Sequence, residues 1–149
     1  RLIFPDSESA EKYLRQYVEP QLAQPCPHPE IWMLSGEEVF HHSRAKLSIE
    51  WLHRFTDLSL NSADTLFEIA AQYGDREDLK KIISERCSDM MSSWPNPTEN
   101  EDIERKRIFW LVREFYFLEN ITDTHWAWLK ADKDNLLHFY ERSGRMNRS

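Results

Sequence analysis

The sequence predicts an all-α protein, and three observations carry that prediction. The first is residues 103–118, IERKRIFWLVREFYFL, where only Arg113 and Glu114 interrupt the apolar residues between Ile108 and Leu118. At about 100° per residue, Leu118, Leu111, Phe115, Ile108, Val112, Tyr116 and Phe109 share one broad side of a helix, and Trp110 with Phe117 forms a second strip. A helix that is apolar on two sides requires neighbours on both, so this stretch is expected to be the central helix. The second observation is the order helix, Gly74, Asp75, helix across residues 62–91, the pattern of a tight antiparallel hairpin. The third is apolar spacing of three and four in the remaining segments, each opened by a residue able to cap a helix. The expected architecture is a single domain over 1–149 of about six to eight helices, either an irregular bundle or a short superhelical, HEAT-like stack.

Taken in order, residues 7–18 form a helix opening at Asp6 or Ser7, with Ala10, Tyr13, Leu14, Tyr17 and Val18 inward. Pro20, Pro25, Pro27 and Pro29 mark an irregular linker near 20–30. Residues 31–42, IWMLSGEEVFHH, predict a helical turn or two broken near Gly36. Ser43 is placed to cap a helix through Leu58, its inner face Ala45, Ile49, Leu52 and Phe55, widened by Trp51 and Leu47. Ser62 is expected to cap the next, with Leu66, Phe67, Ile69, Ala70 and Tyr73 inward and Asp64, Glu68 and Gln72 outward. Gly74 ends it as a left-handed C-cap, and Asp75 caps a third helix that buries Leu79, Ile82, Ile83, Cys87 and Met90. Pro95 and Pro97 make 93–99 a second linker, after which Thr98 and Glu101 form a capping box for the central helix. A further helix starts at Thr122 or Asp123, and a last one over 134–143 closes at Gly144. Residues 136–144 superpose on 66–74, with Leu136, Leu137, Phe139 and Tyr140 on Leu66, Phe67, Ile69 and Ala70. That is one matched pair of segments, as a helical-hairpin repeat would produce.

Charge is uneven along the 149 residues: the formal total is −7, with −6 falling on residues 1–75 and −1 on the rest. An acidic first half argues against a phosphate-binding surface there, because phosphate contacts need cations. No run approaches the roughly 18 to 20 apolar residues of a membrane span. Two cysteines, Cys26 and Cys87, are too few for a disulfide scaffold, so free thiols in a reducing, cytoplasmic compartment are expected. The chain opens on Arg without an apolar targeting segment, and it is expected to be a fragment of a longer protein.

Only Gly36, Gly74 and Gly144 are present, so no glycine-rich phosphate loop and no nucleophile elbow can be written on this chain. Metal chemistry comes nearest at GEEVFHH. On a helix, Glu37 with His41 and Glu38 with His42 share a face, and Glu38-x-x-His41 matches the spacing used in bundled di-metal sites. No second copy of that spacing occurs, and surface ion pairs on a short acidic helix are the expected role. Cys26 and His28, two apart between prolines, do not have structural-zinc spacing. No cofactor is expected. Trp126 and Trp128 point to different sides of their helix, so one is expected inward and the other toward a neighbour or solvent. With Trp32, Trp94 and Trp110 they are either core filling or a binding platform. Lys130, Lys133, Arg142, Arg145 and Arg148 give the C-terminal end cations, interleaved with Asp132, Asp134 and Glu141 as on a solvated face rather than a nucleic-acid surface.

The blocks ERKRIFWLVREFYFL and HWAWLKADKDNLLHFYERSGRMNR resemble the helical region of large bacterial ATP-binding proteins of the NACHT or STAND type. The resemblance covers the C-terminal third. It implies a helical array lying beyond a P-loop ATPase module and serving as sensor or scaffold in defence or signalling. The ATPase signatures are not in this chain, so no catalytic residue is implied. The expected function is a non-enzymatic interaction module, with partners in other domains of the same polypeptide or another protein, and with Trp126, Trp128, Arg142 and Arg145 as its candidate contacts. The rivals are a metal-dependent enzyme at residues 37–42 and a nucleic-acid-binding array.

Overall fold

A computed structural model describes residues 4–24, 28–92, 101–117 and 123–131. Among them the regular structure is all helical: α1 (Ser7–Ala23), α2 (Met33–Gly36), a 3-10 helix (Glu38–Ser43), α3 (Arg44–Arg54), α4 (Leu60–Tyr73), α5 (Arg76–Met91), α6 (Glu101–Phe117) and α7 (Asp123–Ala131). The chain divides into two compact units, Arg1–Leu79 and Lys80–Ser149.

In the first unit, α1 opens on Asp6, whose Oδ1 accepts from Ser9 N at 2.7 Å, and that bond draws the Asp6 carboxyl below its ordinary value. The buried stripe Ala10, Leu14, Val18 and Leu22 follows the helical repeat of four. The expected stop at residue 18 is wrong, because α1 continues through Pro20 to Ala23. Proline inside a helix forfeits an N–H and costs about 3 kcal/mol. Burial of Leu22 and the bonds of Gln21 offset that here. Gln21 Nε2 donates to Tyr17 O at 3.0 Å, and Gln21 Oε1 accepts from Glu30 N at 2.9 Å. Beside this stripe, Tyr13 stacks between Tyr17 and Phe40, with centroids 5.7 and 6.1 Å away.

The break near Gly36 is present, separating α2 from the 3-10 helix, which packs on α1, α2 and α3. Ser43 stands at the N-cap position of α3 but does not cap it. The 3-10 helix runs straight on, holding Ser43 helical (φ −94°, ψ −11°) with its Oγ buried and without a hydrogen-bond partner. The face α3 buries is also rotated from the one expected: Leu47, Ser48, Trp51 and Leu52 are inward, while Ala45, Ile49 and Phe55 are half-buried. Ser48 tolerates burial because its Oγ donates to Ala45 O at 3.2 Å. Helix α3 stops at Arg54 rather than Leu58, since Ser59 must be extended (φ −61°, ψ 158°) to cap α4. Ser59, not Ser62, is that cap: Ser59 Oγ accepts from Ser62 N at 3.2 Å.

Helices α3 and α4 make the most extensive helix pair of this unit. Leu66, Phe67, Ile69 and Ala70 are buried as expected, but Tyr73 is exposed, its ring under the Arg44 guanidinium at 3.4 Å. Gly74 ends α4 with φ −82°, so the left-handed cap is a misreading. Space, not conformation, selects glycine: a Cβ there would lie 2.8 Å from Ala70 O and 2.9 Å from Ile49 Cγ1. Asp75 caps α5, accepting from Asp78 N at 2.9 Å.

In the second unit, α6 is enclosed on every side over Phe109, Trp110, Leu111, Val112, Arg113 and Glu114. That agrees with two apolar strips, and the two charged residues between them are buried as well. Arg113 lies over the Phe109 ring at 3.4 Å and donates to Phe109 O at 3.1 Å. Arg107, also buried, donates from Nε to Met90 O at 3.0 Å and from Nη1 to Glu104, so α6 satisfies a carbonyl at the end of α5. On α5 Ile82, Ile83 and Cys87 are buried as expected, together with Arg86, which was not expected. Thr98, the last helix over 134–143 and the matched segment ending at Gly144 lie outside the described residues.

Candidate interaction surface

The four acid–base candidates do not converge. The 3-10 helix has three residues per turn, so residues four apart no longer share a face, while Glu38 and His41, three apart, do. His41 Nε2 lies 3.0 Å from Ser35 O, whereas His42 Nε2 lies 3.2 Å from Ser7 O, on α1. Each imidazole is thereby held by a separate backbone carbonyl. Glu37 and Glu38 pair with neither, and no ion pair to either carboxylate is present among the described residues. No three His, Cys, Asp or Glu side chains are grouped as a metal site among the described residues.

Three other carboxylates of the first unit, Glu11, Glu19 and Glu50, are employed in packing. Arg15, on α1, reaches Glu50 on α3 through both nitrogens, Nη2 to Oε1 at 3.0 Å, and also Glu19 at 3.1 Å. Glu19 in turn accepts from the buried Trp51 Nε1 at 2.9 Å and from Arg54 Nη1 at 3.0 Å. Lys46 closes on Glu11 at 3.2 Å. The Arg15 hydrogen bond holds the Glu50 carboxyl below its ordinary value. This α1–α3 network was not foreseen, although Glu11, Arg15 and Glu19 at spacings of four were a legible sign of it.

Of the two α7 tryptophans, Trp128 is buried at 2% exposure and Trp126 stands out at 48%, with Lys130 Nζ 5.7 Å from its ring. The division of roles expected for the pair is the one observed. No family model, curated protein or solved structure matches the chain. Arg142 and Arg145 lie outside the described residues, as does Trp94, while Trp110 is buried in α6.

A further indole, Trp32, is 54% exposed although Ile31, Met33 and Leu34 around it are buried. Its ring lies over Gly36, where a Cβ would stand 3.3 Å from Trp32 Cε3. Two residues earlier, Glu30 Oε1 accepts from Tyr17 Oη at 2.9 Å, which pushes the Tyr17 phenol above its ordinary value. Tyr17 itself is 40% exposed.

In the second unit the buried Cys87 thiol is pushed well up by burial and by the adjacent Glu114 carboxyl, the opposite of what a nucleophilic thiolate needs. No described helix is long and apolar enough to cross a membrane.

Proposed function

We propose that this chain is a non-enzymatic helical interaction module, acting as scaffold or sensor within a larger cytoplasmic multidomain protein. The observation that supports it is the pair of exposed indoles, Trp32 at the N-cap of α2 among buried Ile31, Met33 and Leu34, and Trp126 on α7 two residues before the buried Trp128. Tryptophan contributes disproportionately to binding energy at protein interfaces, and leaving one in water forgoes roughly 2 kcal/mol of burial. The sequence resemblance to helical regions of NACHT- or STAND-type proteins suggests a bacterial defence or signalling NTPase as the parent, with the partner in another of its domains or a second protein.

The test is cross-linking in cells that produce the intact protein, with stoichiometry determined by quantitative mass spectrometry. A partner lost on joint replacement Trp32→Ala and Trp126→Ala is the expected result. A partner indifferent to both changes, or none at stoichiometric level, would refute the reading. A stoichiometric transition metal in protein prepared without chelators would replace it with an enzymatic one.

A further inference from the structure

Two sets of glutamates in the first unit differ in how they are paired. Glu11, Glu19 and Glu50 are neutralised by Arg15, Lys46 and Arg54. Glu30, Glu37 and Glu38 have no cationic partner among the described residues, and no Lys or Arg occurs from residue 16 to residue 43. This second set brackets, along the sequence, the most exposed large apolar side chain of the described residues, Trp32.

Of these, Glu30 is also held in place. Tyr17 Oη fixes the Glu30 carboxylate at 2.9 Å, and Gln21 Oε1 holds the Glu30 backbone at 2.9 Å, two residues from Trp32. Gly36 lies beneath the indole, and Glu37 N donates to Met33 O at 3.3 Å, so Glu37 follows on the adjoining turn. The arrangement is an exposed aromatic ring with one carboxylate two residues before it and two more five and six residues after it in sequence, none of them paired with a cation among the described residues. Arginine meets both requirements, since its planar guanidinium stacks on an indole face and forks onto a carboxylate.

We infer that the Tyr17–Trp32 face docks an arginine-bearing segment of a protein partner, a guanidinium lying on Trp32 and pairing with Glu30 or Glu37. This rests on the interaction-module reading and names the chemistry of one partner surface.

The probe is a fluorescein-labelled (Gly-Ser-Arg)4 peptide, followed by fluorescence anisotropy against the whole chain, with lysine, glutamine and glutamate peptides of the same length beside it. Expected are arginine tighter than lysine, no binding of the other two, and about tenfold weaker arginine binding for Trp32→Phe and for the pair Glu30→Gln, Glu37→Gln. The pair Glu8→Gln, Glu77→Gln removes equal charge elsewhere and is expected to leave binding within about twofold. Equal weakening by both pairs, or none by Trp32→Phe, would overturn the proposal in favour of general attraction to an acidic chain. So would binding of the glutamine peptide. In the cellular cross-linking, a partner lost with Trp126→Ala but kept with Trp32→Ala would overturn this face while leaving the interaction module standing.

Discussion

Glu19 joins α1 to α3, and its removal is the most informative perturbation. It is 15% exposed and receives three donors: the fully buried Trp51 indole N–H, the Arg15 guanidinium and the Arg54 guanidinium. The two ion pairs are only partly shielded, Arg54 being the more open, so each contributes about 0.5 kcal/mol. The indole N–H is different, because without Glu19 it is buried without an acceptor at a cost of about 1–3 kcal/mol. Glu19→Ala is therefore expected to destabilise by about 2–4 kcal/mol, or about 6–12 °C in Tm at about 3 °C per kcal/mol. Glu19→Gln keeps an acceptor for Trp51 and is expected to lose only about 1 kcal/mol. Urea titration followed by circular dichroism at low and high salt separates the parts. Salt should erase the glutamine deficit and leave most of the alanine one. Equal losses in the two variants would refute the assignment of Trp51 as the dominant partner.

Ser43→Ala removes a buried hydroxyl with no partner, and it should be neutral or stabilising by about 1 kcal/mol, whereas Ser59→Ala loses a helix cap and should cost about 1 kcal/mol by the same titration. Gly74→Ala should destabilise by about 1–3 kcal/mol through crowding against Ile49 and the Ala70 carbonyl, with partial recovery in Gly74→Ala combined with Ile49→Val. Glu50 has its carboxyl pKa lowered in the fold, so its contribution is present above the ordinary value of 4.5 and lost as pH falls through the lowered one. Thermal scans should show Tm dropping below that pH, with a shallower drop in Glu50→Gln. In a Cys26→Ser background, Cys87 should react with a thiol reagent only at the rate of opening of the fold, and a fast stoichiometric reaction of that native variant would contradict its burial.

Helix existence and type were legible because apolar spacing reports which side of a helix is dry, and capping residues report where it starts. Asp6 and Asp75 illustrate this, as does the two-sided greasiness of 108–114. Boundaries that depend on tertiary context were not legible. Pro20 looked like a stop because its ring removes a hydrogen bond locally, but Leu22 and Gln21 repay that loss through contacts sequence order does not display. Ser43 and Ser62 are both plausible caps by type, and the 3-10 run into α3 and the competing Ser59 decide against them. The inner face of α3 was centred on Ala45, Ile49, Leu52 and Phe55 with Trp51 and Leu47 only widening it, yet Trp51, satisfied by Glu19, and Ser48, satisfied by Ala45, are fully buried. Of the surface, the opposition of Trp126 and Trp128 was readable from their spacing. For Trp32 the sequence left core filling and a binding platform both open, because exposure beside three buried neighbours is a property of the fold.

The charged residues enclosed within α6 have a consequence for how that helix can vary. Arg113 and Glu114 occupy the two seams between its greasy strips, so rolling the rod about its axis would carry an ion into a dry strip at several kcal/mol. Sliding it by one turn would pull Arg107 from the Met90 carbonyl. A uniformly oily rod would pack in many nearly equivalent orientations, whereas this one has a single admissible setting. Replacing Arg113 or Glu114 with leucine would therefore be expected to retain compactness while broadening the NMR resonances of the second unit, a loss of uniqueness rather than of folding.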